Sequence, residues 1–243
     1  MRTIRCHVDA PLSVGATAAL PETAAGHLVR VLRLGVGDAV VLFNGDGHDY
    51  DARLVAVGKR GAEAEVLGAR ALANESPLAI TLAQGVARGE KMDLVLQKGT
   101  ELGVATFAPI NTERTEVKLD AERAEKRLAH WRGVLVAACE QSGRARVPAL
   151  ASPVGLAHWA GGAHAGLKLM LDPEGELTLA ALPATDAVTL VVGPEGGLSE
   201  RDLATLRAAG FKGLRLGPRI LRTETAGLAA VAALQALYGD LRG

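Results

Sequence analysis

The run Ala187 to Val192 (Ala-Val-Thr-Leu-Val-Val) carries almost no polar side chain. A segment this short and this apolar predicts a strand covered on both faces, as in a parallel sheet flanked by helices. The rhythm recurs from residue 78 onward. Strands are expected at Leu78–Ala83, Thr106–Ile110, Leu167–Asp172 and Gly213–Leu216, alternating with helices at Glu90–Leu102, Asp120–Gln141 and 200–209. In the long helix, Leu128, Trp131, Leu135 and Ala138 line one face at a helical period, and Asp120 is a suitable N-cap. Alternating strand and helix argues for a mostly parallel α/β domain.

Upstream the pattern differs. Short strands at Ala39–Phe43, Tyr50–Val57 and Ala62–Val66 are separated by turn residues, with Asn44-Gly45-Asp46-Gly47 a strong hairpin signal. One helix, Pro21–Leu34, interrupts them and carries His27, Arg30 and Arg33 at helical spacing. These three form either a small phosphate-binding patch or a plain solvated face. The expected division is a β-rich domain over residues 1–72 and an α/β domain over 73–243, joined near Ala71–Pro77.

The strand Ala187–Val192 runs into Gly193-Pro194-Glu195-Gly196-Gly197-Leu198-Ser199, where small residues let main-chain groups approach a ligand beyond the strand's carboxyl end. Ser199 and Asp202 predict a capping box, Leu198 and Leu203 a staple, and Gly210 the helix stop. The strand after that helix exits similarly, into Gly217-Pro218-Arg219-Ile220-Leu221-Arg222-Thr223-Glu224-Thr225. A last helix to about Tyr238 is apolar all round, which predicts burial by its own domain or by a second subunit.

Composition narrows the chemistry. Lys plus Arg and Asp plus Glu are both 27, and the balance holds locally, with 8 of each up to residue 72. Nucleic-acid binding by bulk charge is therefore excluded, and 3% aromatic content argues against a base-stacking sheet. Contact with RNA would rest on a few positioned arginines. Cys6 and Cys139 lie far apart with no metal-ligand spacing, and the six histidines are scattered, so no metal site is expected. No phosphate loop, dinucleotide fingerprint or nucleophile elbow is present. With no apolar run long enough to span a bilayer and no signal-like start, a soluble cytoplasmic protein is expected.

The two glycine-and-proline exits resemble those of the SPOUT superfamily of S-adenosylmethionine-dependent RNA methyltransferases, and most closely its bacterial 16S rRNA (uracil-N3)-methyltransferase family. Three further blocks support the resemblance: Gln84–Met92, Gln97–Val104 and Ala138–Arg144. The resemblance implies a PUA-like RNA-binding β-barrel followed by a SPOUT trefoil-knot domain, a homodimer through that domain, and 16S rRNA, within a small-subunit particle, as the substrate. It places S-adenosylmethionine against Leu171, Val192, Gly193, Pro194, Gly196, Gly197, Leu216, Gly217, Ile220, Leu221 and Thr225.

Uracil N3 carries a proton at neutral pH, so the catalytic group must stabilise negative charge or accept that proton. The expectation is that Arg222, with Arg219, stabilises charge on the uracil carbonyl oxygens, while Glu195 or Glu224 orients these arginines or takes the proton. A salt-bridge network of Arg219, Arg222 and Glu224 that only fixes the loop is the alternative. Arg88, Lys91 and Arg144 are assigned to RNA phosphates; Glu101, Glu140 and Gln141 either line the uridine pocket or serve helix ends. Relatives in the superfamily that methylate ribose 2′-hydroxyls or guanine N1, and a non-catalytic nucleotide- or RNA-binding module, remain the rival readings.

Overall fold

The computed structural model describes residues 4–26, 28, 32–58, 61–116 and 121–242. The chain forms two compact units, one of residues 1–75 with 136–147 and one of 76–135 with 148–243. Among the described residues no helix is long and apolar enough to cross a membrane.

The first unit is a mixed sheet. Its strands are β1 (Arg5–His7), β2 (Thr17–Ala19), β3 (Ala39–Phe43), β4 (His48–Gly58) and β5 (Gly61–Ala71), in the order β1-β3-β4-β5-β2. β1 pairs in parallel with β3; the other pairs are antiparallel. Alternation along β4 and β5 sends Tyr50, Ala52, Leu54, Ala62, Ala64 and Val66 into one core with Leu20, Leu28 and Leu42. The Asn44–Gly47 hairpin is built as its sequence suggests. The Asp46 N–H donates to Asn44 Oδ1 (3.2 Å), the His48 N–H to Asp46 Oδ1 (2.8 Å) and the Tyr50 hydroxyl to Asp46 Oδ2 (2.6 Å). Among the described residues helix α1 covers Glu22–Gly26. Arg33 has φ 58° and the Leu34 N–H reaches back to Leu28 O (3.0 Å), so Arg33 lies in a closing turn and not on a right-handed helix face. His27 and Arg30 lie outside the described residues.

The second unit is an all-parallel sheet ordered β11-β13-β10-β12-β6-β7-β8, with β9 pairing β7. The strands are β6 (Ala79–Gly85), β7 (Thr106–Asn111), β8 (Ala149–Leu150), β9 (Val154–Gly155), β10 (Leu167–Leu171), β11 (Leu177–Thr178), β12 (Ala187–Val192) and β13 (Lys212–Arg215). Helices α2 (Glu90–Glu101), α3 (Ala121–Ser142), α4 (Leu156–Ala160), α5 (Glu200–Ala208) and α6 (Thr223–Tyr238) complete the chain. The N-cap expected at Asp120 lies outside the described residues.

Both faces of the central strands are covered, which is why they read as unbroken apolar runs. Ala83, Met170 and Val191 join Leu156 and Ala160 of α4 and Leu206 of α5 in one cluster. The alternate positions Leu82 and Val192 approach Gly227 of α6, which packs on β6 and β12 and against α2. The buried row of α6, Gly227, Ala230, Val231, Leu234 and Gln235, repeats at helical spacing. Each of its larger apolar side chains stabilises the fold by about 1.5–3 kcal/mol.

Strand order creates an unusual return. β13 lies beyond β10, yet the helix that follows it packs on β12 and β6. Residues 216–222 therefore pass back across the carboxyl ends of β10 and β12, bringing the two glycine-and-proline bends together.

Candidate active site

Helix α5 sets the first bend. Ser199 Oγ accepts the Asp202 N–H (3.1 Å) and the Ser199 N–H donates to Asp202 Oδ2 (2.9 Å), a complete capping box worth about 1 kcal/mol. The helix closes with the Phe211 N–H on Leu206 O (3.0 Å), the Gly210 N–H on Arg207 O (2.9 Å) and Gly210 at φ 87°. Within the bend, a Cβ on Gly193 would lie 2.9 Å from both Gly197 C and Leu198 N. Gly197 has φ 70°, a conformation that disfavours any side chain. The main chain is thus exposed without side-chain bulk where the strand ends.

A buried polar pin joins the bends. Gln84, 1% exposed at the end of β6, donates through Nε2 to Thr223 Oγ1 (2.9 Å) and to Gly85 O (3.0 Å), and Thr223 Oγ1 donates to Gly193 O (2.6 Å). The carbonyl of the first bend is held by the first residue of α6, across 30 positions of sequence.

Between the bends lies a cavity of about 620 Å³, within the range of small-molecule sites. Leu171, Val192, Leu214, Leu216 and Leu221 supply apolar wall, and Asp172, Glu195, Arg219, Arg222 and Glu224 supply charge. Glu195 Oε1 accepts the Arg88 N–H (3.0 Å) and Lys91 Nζ (3.0 Å). Partial burial by itself would raise the Glu195 pKa; hydrogen bonds from the Arg88 and Glu195 main-chain N–H groups and from Lys91 more than offset this and hold it below the ordinary glutamate value. Asp172, 5% exposed, accepts from Arg207 (3.1 Å) and from the Glu174 N–H (2.9 Å). Glu224 has a buried oxygen, Oε2, with no hydrogen-bond partner. Among the described residues no group of three or more His, Cys, Asp or Glu is placed to hold a metal.

A family profile described as an RNA methyltransferase domain matches residues 74–235, and one described as an RNA methyltransferase PUA domain matches residues 20–67. The chain is 32% identical to the ribosomal RNA small subunit methyltransferase E of Bacillus subtilis, with 89% of each chain covered. It is 31% identical to the protein of that name from Buchnera aphidicola subsp. Schizaphis graminum, covering 99% of this chain and 98% of that one. A crystal structure of ribosomal RNA small subunit methyltransferase E from Neisseria gonorrhoeae, bound to S-adenosyl methionine, is 42% identical with a TM-score of 0.94, covering 99% of this chain and 100% of that one. The chain belongs to the RNA methyltransferase family. Its architecture is the expected one, a PUA-like unit followed by a knotted SPOUT domain on a parallel sheet.

Arg219, Arg222, Glu195 and Glu224 all line the cavity. So do ten of the eleven residues expected around the cofactor; Thr225 instead lines a neighbouring depression with Pro218 and Arg219. Glu195 is tied to Lys91 and the Arg88 main chain, not to the arginines it was expected to orient, and its lowered pKa makes it a weak base. A loop-fixing ion-pair network is not what forms: among the described residues neither Arg219 nor Arg222 has an ion-pair partner.

One RNA assignment is corrected by burial, and other residues assigned to RNA find protein partners. Arg144 is 6% exposed and paired with Glu75, so its charge holds the first unit together and is withheld from phosphate. Glu140 accepts the His7 N–H (3.0 Å) in the same unit, and Glu101 pairs with Lys98 (2.8 Å) at the end of α2. Gln141 is exposed on α3, while Arg88, also exposed, pairs with Glu116. Sequence reasoning missed Arg114 and Thr223 in the cavity wall and Gln84 behind it. Arg114 follows the end of β7 as Glu195 follows β12, so the strand-exit signal was available there too.

Proposed function

We propose that this methyltransferase transfers a methyl group from S-adenosylmethionine to N3 of a uridine in 16S rRNA of the small ribosomal subunit, acting in the cytoplasm as a homodimer through its second unit. The observation that carries this reading is the convergence of two glycine-rich strand exits on one cavity with Arg219 and Arg222 in its wall. The cavity fits the cofactor: its volume is right, bare main chain lines the first bend, leucines offer an apolar berth for the adenine, and the unpartnered oxygen of Glu224 awaits a donor. Leu171, Val192, Gly193, Pro194, Gly196, Gly197, Leu216, Gly217, Ile220 and Leu221 would hold it. When bound, it supplies a methyl group on a sulfonium, open to in-line attack.

The chain's own residues must then make N3 nucleophilic. Arg222, assisted by Arg219, donates hydrogen bonds to the uracil carbonyl oxygens, over which charge spreads as the N3 proton departs. Glu224 is the acidic group left for accepting a hydrogen bond or that proton, since Glu195 is committed to Lys91 and Arg88. The main-chain N–H and C=O groups of the first bend fix orientation. Domain limits at 1–72 and 73–243 accompany this reading, with the β-rich part as an RNA-docking module. The outward residues Ile220 (79% exposed) and Leu237 (39% exposed) support a covering second copy.

The test is nucleoside mass analysis of unmodified small-subunit particles incubated with the protein and methyl-labelled S-adenosylmethionine. Label in 3-methyluridine is expected. Label on a ribose 2′-oxygen or on guanine N1 would replace the assignment of target atom.

A further inference from the structure

Arg114 makes a contact that the catalytic assignment leaves unused. It stands in the turn 112–116, closed by the Thr115 N–H on Thr112 O (3.1 Å) and the Thr112 N–H on Thr115 Oγ1 (2.8 Å). The Glu113 N–H donates to Asp202 Oδ1 (3.3 Å), the same buried carboxylate whose other oxygen caps α5. One aspartate therefore sets both the start of α5 and the position of this turn. From it, Arg114 Nη1 reaches the carbonyl of Gly196 (2.9 Å) in the first bend.

Charge around the cavity is unequal in availability. Lys91 and Glu195 neutralise each other, and Asp172 is taken by Arg207. Among the described residues Arg114, Arg219 and Arg222 have no ion-pair partner, against the single remaining carboxylate of Glu224. Arg114 uses one of its five N–H donors on a neutral carbonyl, leaving a planar, positively charged fork in a fixed place. Such a group calls for an anion. The same chemistry has two sources, a phosphate of the RNA and the carboxylate of the methyl donor; the exposure of both Arg114 and Gly196 favours the polymer.

We propose that Arg114 grips a backbone phosphate beside the target nucleotide, holding the RNA from the first bend while Arg219 and Arg222 meet the base from the second. This rests on the reading above of the cavity as the methyl-donor site. It makes Arg114 a positioning residue for the RNA.

The experiment compares the wild type with Arg114→Ala and Arg114→Lys in two binding measurements: small-subunit particles lacking the methyl group, titrated over a range of salt, and S-adenosylmethionine by calorimetry. Arg114→Ala is expected to weaken particle binding about tenfold at low salt and to reduce the salt slope by about 1, with donor affinity unchanged. Arg114→Lys should recover the slope but not the full affinity, because an ammonium lacks the fork. Loss of donor affinity with an unchanged slope would reassign the residue to the donor carboxylate and overturn the proposal. Equal loss in both variants would make Arg114 a brace for the Gly196 carbonyl and overturn it as well. Failure of the wild type itself to bind donor would count against the methyl-donor reading, while the particle titration still reports on Arg114 independently.

Discussion

Arg5 and Arg144 of the first unit and Arg114, Arg219 and Arg222 of the second meet opposite fates. In the first, Arg5 and Asp49 are buried together, with side chains 9% and 3% exposed and a separation of 2.8 Å. Arg70 adds a second guanidinium at 2.7 Å, and Arg5 also donates to Gly143 O (2.8 Å) and Arg144 O (3.0 Å). Arg144 is equally enclosed beside Glu75. In the second unit, Arg114, Arg219 and Arg222 are exposed around a cavity with no carboxylate closed upon them. A chain of zero net charge can therefore offer a local positive field, because its carboxylates are committed elsewhere.

The comparison can be broken most forcefully in the first unit. Asp49→Ala strands Arg5 in a buried site and should cost about 3–5 kcal/mol of stability, read by urea denaturation. Among the described residues none that lines the cavity belongs to that unit, so S-adenosylmethionine affinity of the folded variant should be unchanged. A lowered donor affinity with intact stability would reverse this division of labour between the units.

In the second unit the expectation is inverted. Arg222→Ala should leave the denaturation midpoint near the wild-type value and lower kcat/KM about 10²-fold, equivalent to about 2.7 kcal/mol. Near-normal turnover in a folded variant would remove the arginine from the chemistry.

The smallest effect concerns Glu195, whose native pKa lies below the ordinary glutamate value. Its contribution to stability is complete above the unfolded value of about 4.3 and disappears as the pH falls through the lower native one. The stability difference between wild type and Glu195→Gln should thus stay constant from neutral pH down to about 5 and close in stronger acid. A gap that persists there would mean that the carboxylate charge is irrelevant. Any limb of the kcat profile near neutrality should survive in Glu195→Gln, since this group is already ionised.

Much of this was legible from residues alone, for identifiable reasons. β3 and β12 occupy the expected segments because apolar runs ended by glycine or asparagine leave little freedom of boundary. The α5 cap and stop were readable because capping is local chemistry. The strands β8, β9 and β11, each of two residues, carry no period to detect. Burial of charge was the larger failure: Arg144 and Arg114 look alike in a sequence, and only tertiary structure shows that Glu75 encloses one while the other meets a main-chain carbonyl. Burial is equally invisible in the sequence at Cys6 and Cys139, where it pushes the thiols up to about 12 and leaves both protonated at neutral pH.

The pin of Gln84, Thr223 and Gly193 governs how anything can enter between the bends. Its hydrogen bonds clamp the inner end of the crossing segment, so widening there would strand Gln84, whose Oε1 already lacks a partner. The outer end is different: Gly217 has φ 75° and Ile220 stands almost bare in solvent. Adjustment of the crossing segment to a guest is thereby left to residues 217–221, with its other end anchored.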